Sequence, residues 1–254
     1  PALQPRRAAP APPALMPARI GCAGWSLPRA EQERFPAEGS HLERYAARFP
    51  AVEINSSFYR PHRPATYARW RESVPPDFRF SVKVPKAITH TLRLRDAAEP
   101  LAAFLNEAGG LGEKLGCVLV QLPPGLQFDA DTARGFLATL RSLSAVPAAC
   151  EPRHASWFTA EAGAMLAEFA VARVAADPAR VPEAAEPGGA PDLVYQRLHG
   201  SPRIYYSEYE PAYLDDLAAR IRRDTEAERD VWCIFDNTAS GAATANALDL
   251  LARL

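Results

Sequence analysis

The sequence predicts an α/β fold, a single-domain (β/α)8 TIM barrel with a closed parallel sheet, on three observations. Short apolar runs alternate with segments of helical periodicity from Arg19 to the C-terminus, and such alternation implies right-handed βαβ units and a parallel sheet. Eight strand runs fall within roughly 235 residues, close to the ~250 that a barrel of this kind takes. An open doubly wound sheet is the second choice, because no GxGxxG follows the first strand and no GxxxxGK[ST] occurs.

Each element follows from its pattern. The first strand, 20–23, is an apolar run closed by Gly24. Leu42, Tyr45, Ala46 and Phe49 recur at helical spacing, which predicts a helix over 42–49. Val52 and Ile54 alternate with Glu53 and Asn55 in a strand over 51–55. Tyr67 and Trp70 mark a helix at 66–73, and Phe78, Phe80, Val82 and Val84 alternate strictly through a strand over 78–84. Leu101, Phe104 and Leu105 give the helix 100–107. The run 117–121 reads as a buried strand, and Ala133, Phe136, Leu137 and Leu140 give the helix 132–143. Strand 148–151 precedes the helix 160–169, which carries Met165, Leu166 and Phe169. Strands follow at 173–176 and 193–198. Leu214, Leu217, Ala218 and Ile221 define the helix 211–226. Strand 231–235 and a final Ala- and Leu-rich helix over 242–254 complete the series.

Composition narrows the function. The 254 residues suffice for one core without disulfides or metals, and 48% hydrophobic with 23% charged residues is ordinary for a globular chain. Positions 1–18, almost entirely Pro, Ala and Arg, are expected to form a disordered tail, leaving 19–254 as the domain. The 29 basic and 30 acidic side chains give a formal charge of -1, so no global field draws the chain to nucleic acid or anionic membrane. No apolar run approaches the ~20 residues of a membrane span. Arg6-Arg7 resembles the start of an export signal, but Pro10, Pro12, Pro13 and Pro17 interrupt the place of its apolar region. A cytoplasmic protein is expected. Cys22, Cys117, Cys150 and Cys233 lie far apart in strand-like runs with no CxxC pair, which suits small buried hydrophobes in a reducing compartment.

On a barrel strand, residues two apart share a face. Placing Val52 and Ile54 toward the helices leaves Glu53 and Asn55 inward, and placing Phe80 and Val82 outward leaves Ser81 and Lys83 inward. Leu119 with Gln121, Ala149 with Glu151 and Arg153, and Tyr195 with Arg197 and His199 run the same way, from apolar or small to polar toward the strand's C-terminal end. Asp177 and Asp236-Asn237 are read as ending two further strands. The C-terminal rim, where barrel enzymes keep their chemistry, is therefore expected to gather acids and bases from distant parts of the chain, with His90 and His154 close by.

Several segments, taken together, resemble the YecE-like family of uncharacterised proteins. They are Gly21-Cys22-Ala23-Gly24-Trp25-Ser26, Val52-Glu53-Ile54-Asn55-Ser56-Ser57-Phe58-Tyr59, Phe80-Ser81-Val82-Lys83-Val84-Pro85 with Thr89-His90, Gln121-Leu122-Pro123-Pro124, Glu151-Pro152-Arg153-His154 with Trp157, Arg197-Leu198-His199-Gly200, Tyr205-Tyr206 and Phe235-Asp236-Asn237. The resemblance covers 19–254 and implies a TIM barrel. It departs after Ser26, where Leu27 stands in place of the family's Tyr and a second Trp is missing before Phe35-Pro36.

The chemistry expected of this rim is acid–base work by the paired carboxylates Glu53 and Glu151 in a hydrolase or isomerase. Lys83, Arg153 and Arg197 would hold a small polar anion, a phosphorylated one among the options. Asn55, His90, Gln121, His154, Asp177, His199, Asp236, Asn237, Trp25 and Tyr59 would line its site. The sequence requires no cofactor and assigns no metal site; the acids and histidines could ligate a divalent ion, but the neighbouring cations oppose it. Other readings are internal ion pairing that plugs the barrel, a nucleic-acid binder using cations and loop aromatics, and a metabolite-sensing barrel without turnover.

Overall fold

The computed structural model describes residues 18–254. The expected tail lies outside the described residues except for Ala18, which packs against the core. In chain order the strands are β1 (Arg19–Cys22), β2 (Ala51–Ile54), β3 (Arg79–Lys83), β4 (Leu115–Gln121), β5 (Ala148–Glu151), β6 (Val171–Arg173), β7 (Ala175–Asp177), β8 (Gly188–Gly189), β9 (Leu193–Leu198) and β10 (Asp230–Phe235). The helices are α1 (His41–Ala46), α2 (Ser56–Tyr59), α3 (Pro64–Glu72), α4 (Ala98–Ala108), α5 (Ala130–Leu143), α6 (Ala160–Glu168), α7 (Pro211–Glu226) and α8 (Ala242–Leu251).

Helix starts follow local chemistry. Ser40 and Glu43 form a reciprocal capping box at α1. The Asp129 carboxylate accepts from the Thr132 amide at 2.9 Å and the Thr159 hydroxyl from the Ala162 amide at 3.3 Å, capping α5 and α6. Pro64 and Pro211 open α3 and α7, where a missing N–H costs nothing.

Hydrogen bonding resolves the strands into two sheets, ordered β1-β10-β9-β7 and β2-β3-β4-β5-β6-β8. All pairings are parallel except β6 with β8. The sheets meet twice. A parallel bridge joins Ala23 to Glu53, and the single run from Val171 to Asp177 pairs with β5 through its first half and with β9 through its second. Gly21 sits at the first join; a Cβ there would come within 2.1 Å of the Ala51 carbonyl oxygen, so no other residue allows this approach. The link from β7 to β9 carries one helical turn, Pro182–Ala185, and β8 instead of an α-helix.

Alternation divides the core in two. Val52, Ile54, Phe80, Val82, Val118, Val120, Val194, Val231 and Cys233 pack on the helix side. Ala51, Cys117, Leu119, Ala149, Ala172, Val174, Leu193, Tyr195, Trp232 and Ile234 form a second cluster that draws on both sheets, which therefore face each other across it. The four cysteines are free and buried, and burial pushes the Cys22 thiol up to about 12. Among the described residues no helix is long and apolar enough to cross a membrane.

Candidate functional site

The inner cluster ends toward the C-terminal strand ends, and the next residues on the same face are polar: Glu53, Ser81, Lys83, Gln121, Glu151 and Arg197, all buried. Arg197 is the hub. Its Nε and Nη2 donate to the two oxygens of Glu53 at 3.0 and 2.7 Å, its Nη1 to Glu151 at 2.6 Å, and its Nη2 also to Asp236 at 3.1 Å. Tyr195, one turn of the pleat below, donates to Glu53 at 2.9 Å and lies 2.8 Å from the Ser81 hydroxyl. Burial alone would lower the Arg197 pKa, but the charges of Glu53, Glu151 and Asp236 outweigh it and raise it well above its ordinary value.

His199 lies between two carboxylates, with Nε2 3.0 Å from a Glu151 oxygen and Nδ1 3.0 Å from an Asp236 oxygen. A carboxylate only accepts, so both ring nitrogens carry protons and His199 is an imidazolium. Burial opposes this state, yet the Glu151 charge and the two hydrogen bonds raise its pKa. Arg153 adds two contacts to the same Glu151 oxygen, at 3.2 and 3.1 Å. Against the penalty of burial, Arg197 and His199 hold Glu151 well below the usual carboxylate range and Asp236 below it as well. Both Glu151 oxygens and the Asp236 Oδ2 are engaged.

Lys83 is not. Its side chain, 7% exposed, makes neither a hydrogen bond nor an ion pair with the described residues; its Nζ stands 4.3 Å from the centre of the Phe58 ring. Burial, reinforced by the Arg197 charge, pushes its pKa down to about 8 despite the carboxylates nearby. His90 packs edge-on against the same Phe58 ring at 5.0 Å, with Nδ1 2.8 Å from the Thr89 hydroxyl. Burial and the Lys83 charge lower its pKa. Gln121 is buried at the same level, its side-chain amide without a hydrogen-bond partner among the described residues. Asn55 opens α2 and leaves its Oδ1 buried and unpartnered.

Beside Glu151 and His199 is a cavity of about 340 Å³, walled by Arg153 and Ala176 and by Pro178, Arg180, Ile204 and Tyr205 from the loops after β7 and β9. Its charged lining is three cations and the one carboxylate they already engage or neighbour. Gly200, at φ 92°, lets the chain turn directly after His199 and brings Tyr205 edge-on to the His199 ring. Among the described residues no group of three or more His, Cys, Asp or Glu is arranged to hold a metal ion.

Several expected residues do not line this cavity. Glu53 is wholly buried beneath Arg197, with both oxygens occupied. Asp177 faces the helix layer, where the Tyr209 hydroxyl donates to it at 2.8 Å: Ala176 is the partner of Arg197 in the ladder, so the next residue takes the opposite face. Asn237 is one past Asp236 and reverses in the same way, donating to the Ser207 carbonyl and the Asn246 side chain. His154 caps a helical turn, its Nδ1 accepting from the Ser156 amide at 3.2 Å. Trp25 packs edge-on to Trp70 at 5.1 Å, and Tyr59 stands 78% exposed. Sequence reasoning missed Arg180 and Ile204, which sit in loops with no periodicity to reveal their direction.

The family model described as "Protein of unknown function DUF72" matches residues 19–254. The UPF0759 protein YecE of Escherichia coli K12 is 35% identical over 104 residues, which cover 41% of this chain and 37% of that relative. The chain thus spans well under half of the length of that relative. The UPF0759 protein YunF of Bacillus subtilis 168 is 23% identical across 91% of this chain and 93% of its own. A DUF72 family protein from Enterococcus faecalis V583 has a solved structure that superposes with a TM-score of 0.79 at 24% identity, covering 93% and 95% of the two chains. One from Thermotoga maritima MSB8 gives a TM-score of 0.75 at 24% identity, covering 92% and 97%.

Proposed function

The chain belongs to the DUF72 family of proteins of unknown function, and we propose that it is a barrel enzyme of the isomerising type that moves a proton on a small polar anion bound at its C-terminal rim. The two sheets are read as arcs of one eight-stranded ring, joined by the Ala23–Glu53 bridge and by the strand that β6 and β7 share. Arg153, Arg180 and the His199 imidazolium hold the anion, phosphorylated or carboxylated, because the cavity between them offers no free carboxylate to repel it. Acid–base work belongs to Lys83 and His199. Glu53 and Glu151, both bound to Arg197, are positioning residues, and a hydrolytic pair of carboxylates does not suit their saturation.

The observation that carries this reading is the contrast between a carboxylate network compensated by cations and a buried amine that makes no hydrogen bond or ion pair among the described residues. Isothermal titration calorimetry with sodium sulfate tests it. Sulfate should bind, and Arg180→Ala and Arg153→Ala should each weaken binding about ten-fold, in line with loss of one charge-assisted contact. No heat, or unchanged affinity in both variants, would overturn the anion site. Salt-dependent oligonucleotide binding that Arg153→Ala abolishes would replace it with nucleic-acid recognition.

A further inference from the structure

We propose that Lys83 is a nucleophile that forms an imine with the carbonyl carbon of a small anionic oxo compound, an inference that rests on the anion-binding rim proposed above and names its substrate class. Three of the 29 Lys and Arg residues are lysines, Lys83, Lys86 and Lys114. Lys114 has a structural task, donating to the carbonyls of Arg71 and Val74 at 2.7 and 2.6 Å, and Lys86 is exposed. Where this fold needs a buried fixed charge it uses Arg197. A primary amine differs from a guanidinium in that burial can bring its proton loss toward neutral pH, and the free base attacks carbon. Lys83 has the setting that such an amine needs, burial and a neighbouring cation, and its Nζ is held over the Phe58 ring.

The segment after β3 supports the assignment. A π-helical turn over Ala87–Thr91 holds His90 against the Phe58 ring that Lys83 also contacts. The Nε2 of His90 has no hydrogen-bond partner among the described residues, while its Nδ1 is engaged by Thr89. Beyond that turn, Arg93, Leu94 and Asp96 adopt φ of 52°, 70° and 47°. Strain of this kind and π-helical turns concentrate where a segment is shaped for function.

The step balances without an external oxidant or reductant. The free Nζ electron pair forms the C–N bond, and the carbonyl π pair moves to oxygen, which takes a proton. The carbinolamine then loses water as nitrogen supplies the C=N pair, with His90 shuttling the protons. A protonated imine draws electrons from the adjacent carbon, which makes a proton there removable, the kind of transfer that the proposed function requires.

Glyoxylate with sodium cyanoborohydride tests this on the whole chain, since hydride from the borohydride fixes an imine as a carboxymethyl-amine that peptide mass mapping locates. Lys83 should be labelled about ten-fold faster than Lys86 or Lys114. Saturating sulfate should slow the reaction, and Lys83→Arg should remove it. Equal labelling of the three lysines, or none at Lys83, overturns the imine, and sulfate binding measured alongside shows whether the anion rim stands without it. Selective labelling that acetaldehyde matches in rate overturns the anionic substrate class.

Discussion

Arg197 on β9 presents two nitrogens to the two oxygens of Glu53 on β2, at 3.0 and 2.7 Å, and so ties one sheet to the other with both side chains fully buried. The same guanidinium reaches Glu151 and Asp236, so three carboxylates share it, and Glu53 has no other ion-pair partner among the described residues. Arg197→Leu should therefore destabilise the fold by about 3–5 kcal/mol, because it strands buried charge. Urea unfolding measures this, and a loss below about 1 kcal/mol would contradict the pairing.

His199 gives the network a pH dependence whose sign is fixed. Its folded pKa is raised above 6.5, so its contribution is complete below about 6.5 and is lost as pH rises through the folded value. Glu151 and Asp236 have depressed folded pKa values, so theirs is present above about 4.5 and lost as pH falls. Stability from the cluster should peak between these limits. In urea midpoints taken from pH 5 to pH 9, His199→Gln should flatten the alkaline decline; an unchanged slope in that variant would remove His199 from the linkage.

Lys83 is expected to cost stability. A lysine whose folded pKa is lowered from 10.5 to about 8 destabilises the fold fully below about 8, and the penalty fades as pH approaches 10.5. Lys83→Met should raise the unfolding free energy by about 1–2 kcal/mol at pH 7, with a smaller gain at pH 10. A destabilised variant at pH 7 would mean that Lys83 has a partner in solution.

Much of this site follows from strand alternation. Once Val52 and Ile54, Phe80 and Val82, and Val118 and Val120 are assigned to the helix layer, the pleat forces Glu53, Lys83, Gln121, Glu151 and Arg197 onto the other face, and a parallel sheet brings their strand ends to one level. The same rule carried one residue further turns Asp177 and Asn237 away, although their polarity at strand ends suggests the rim. The split at Val174, the antiparallel β8 and the π-helical turn carrying His90 arise from tertiary contacts that leave no periodic trace. Nor does spacing reveal that Glu53 and Glu151 are consumed by Arg197. That depends on distances between residues about a hundred or more positions apart in some pairs and only the folded chain supplies them.

Beneath the charges, Trp232 fills the inner cluster, stacked on Tyr195 with ring centroids 5.8 Å apart. Trp232→Ala should cost about 3–5 kcal/mol through the cavity it leaves. Because Tyr195 also holds Glu53, the loss should carry over to the network, and a double-mutant cycle with Tyr195→Phe should show non-additivity. Simple additivity would separate the apolar layer from the polar one.

The most direct test is the titration of Lys83 itself. In a chain with three lysines, the side-chain carbon resonances can be followed by NMR against pH, with Lys83→Arg assigning the signal. A midpoint near 8 is the value that a buried amine beside Arg197 should show. A midpoint at or above 10.5 would place the amine in a paired or solvated setting and contradict the account of the site.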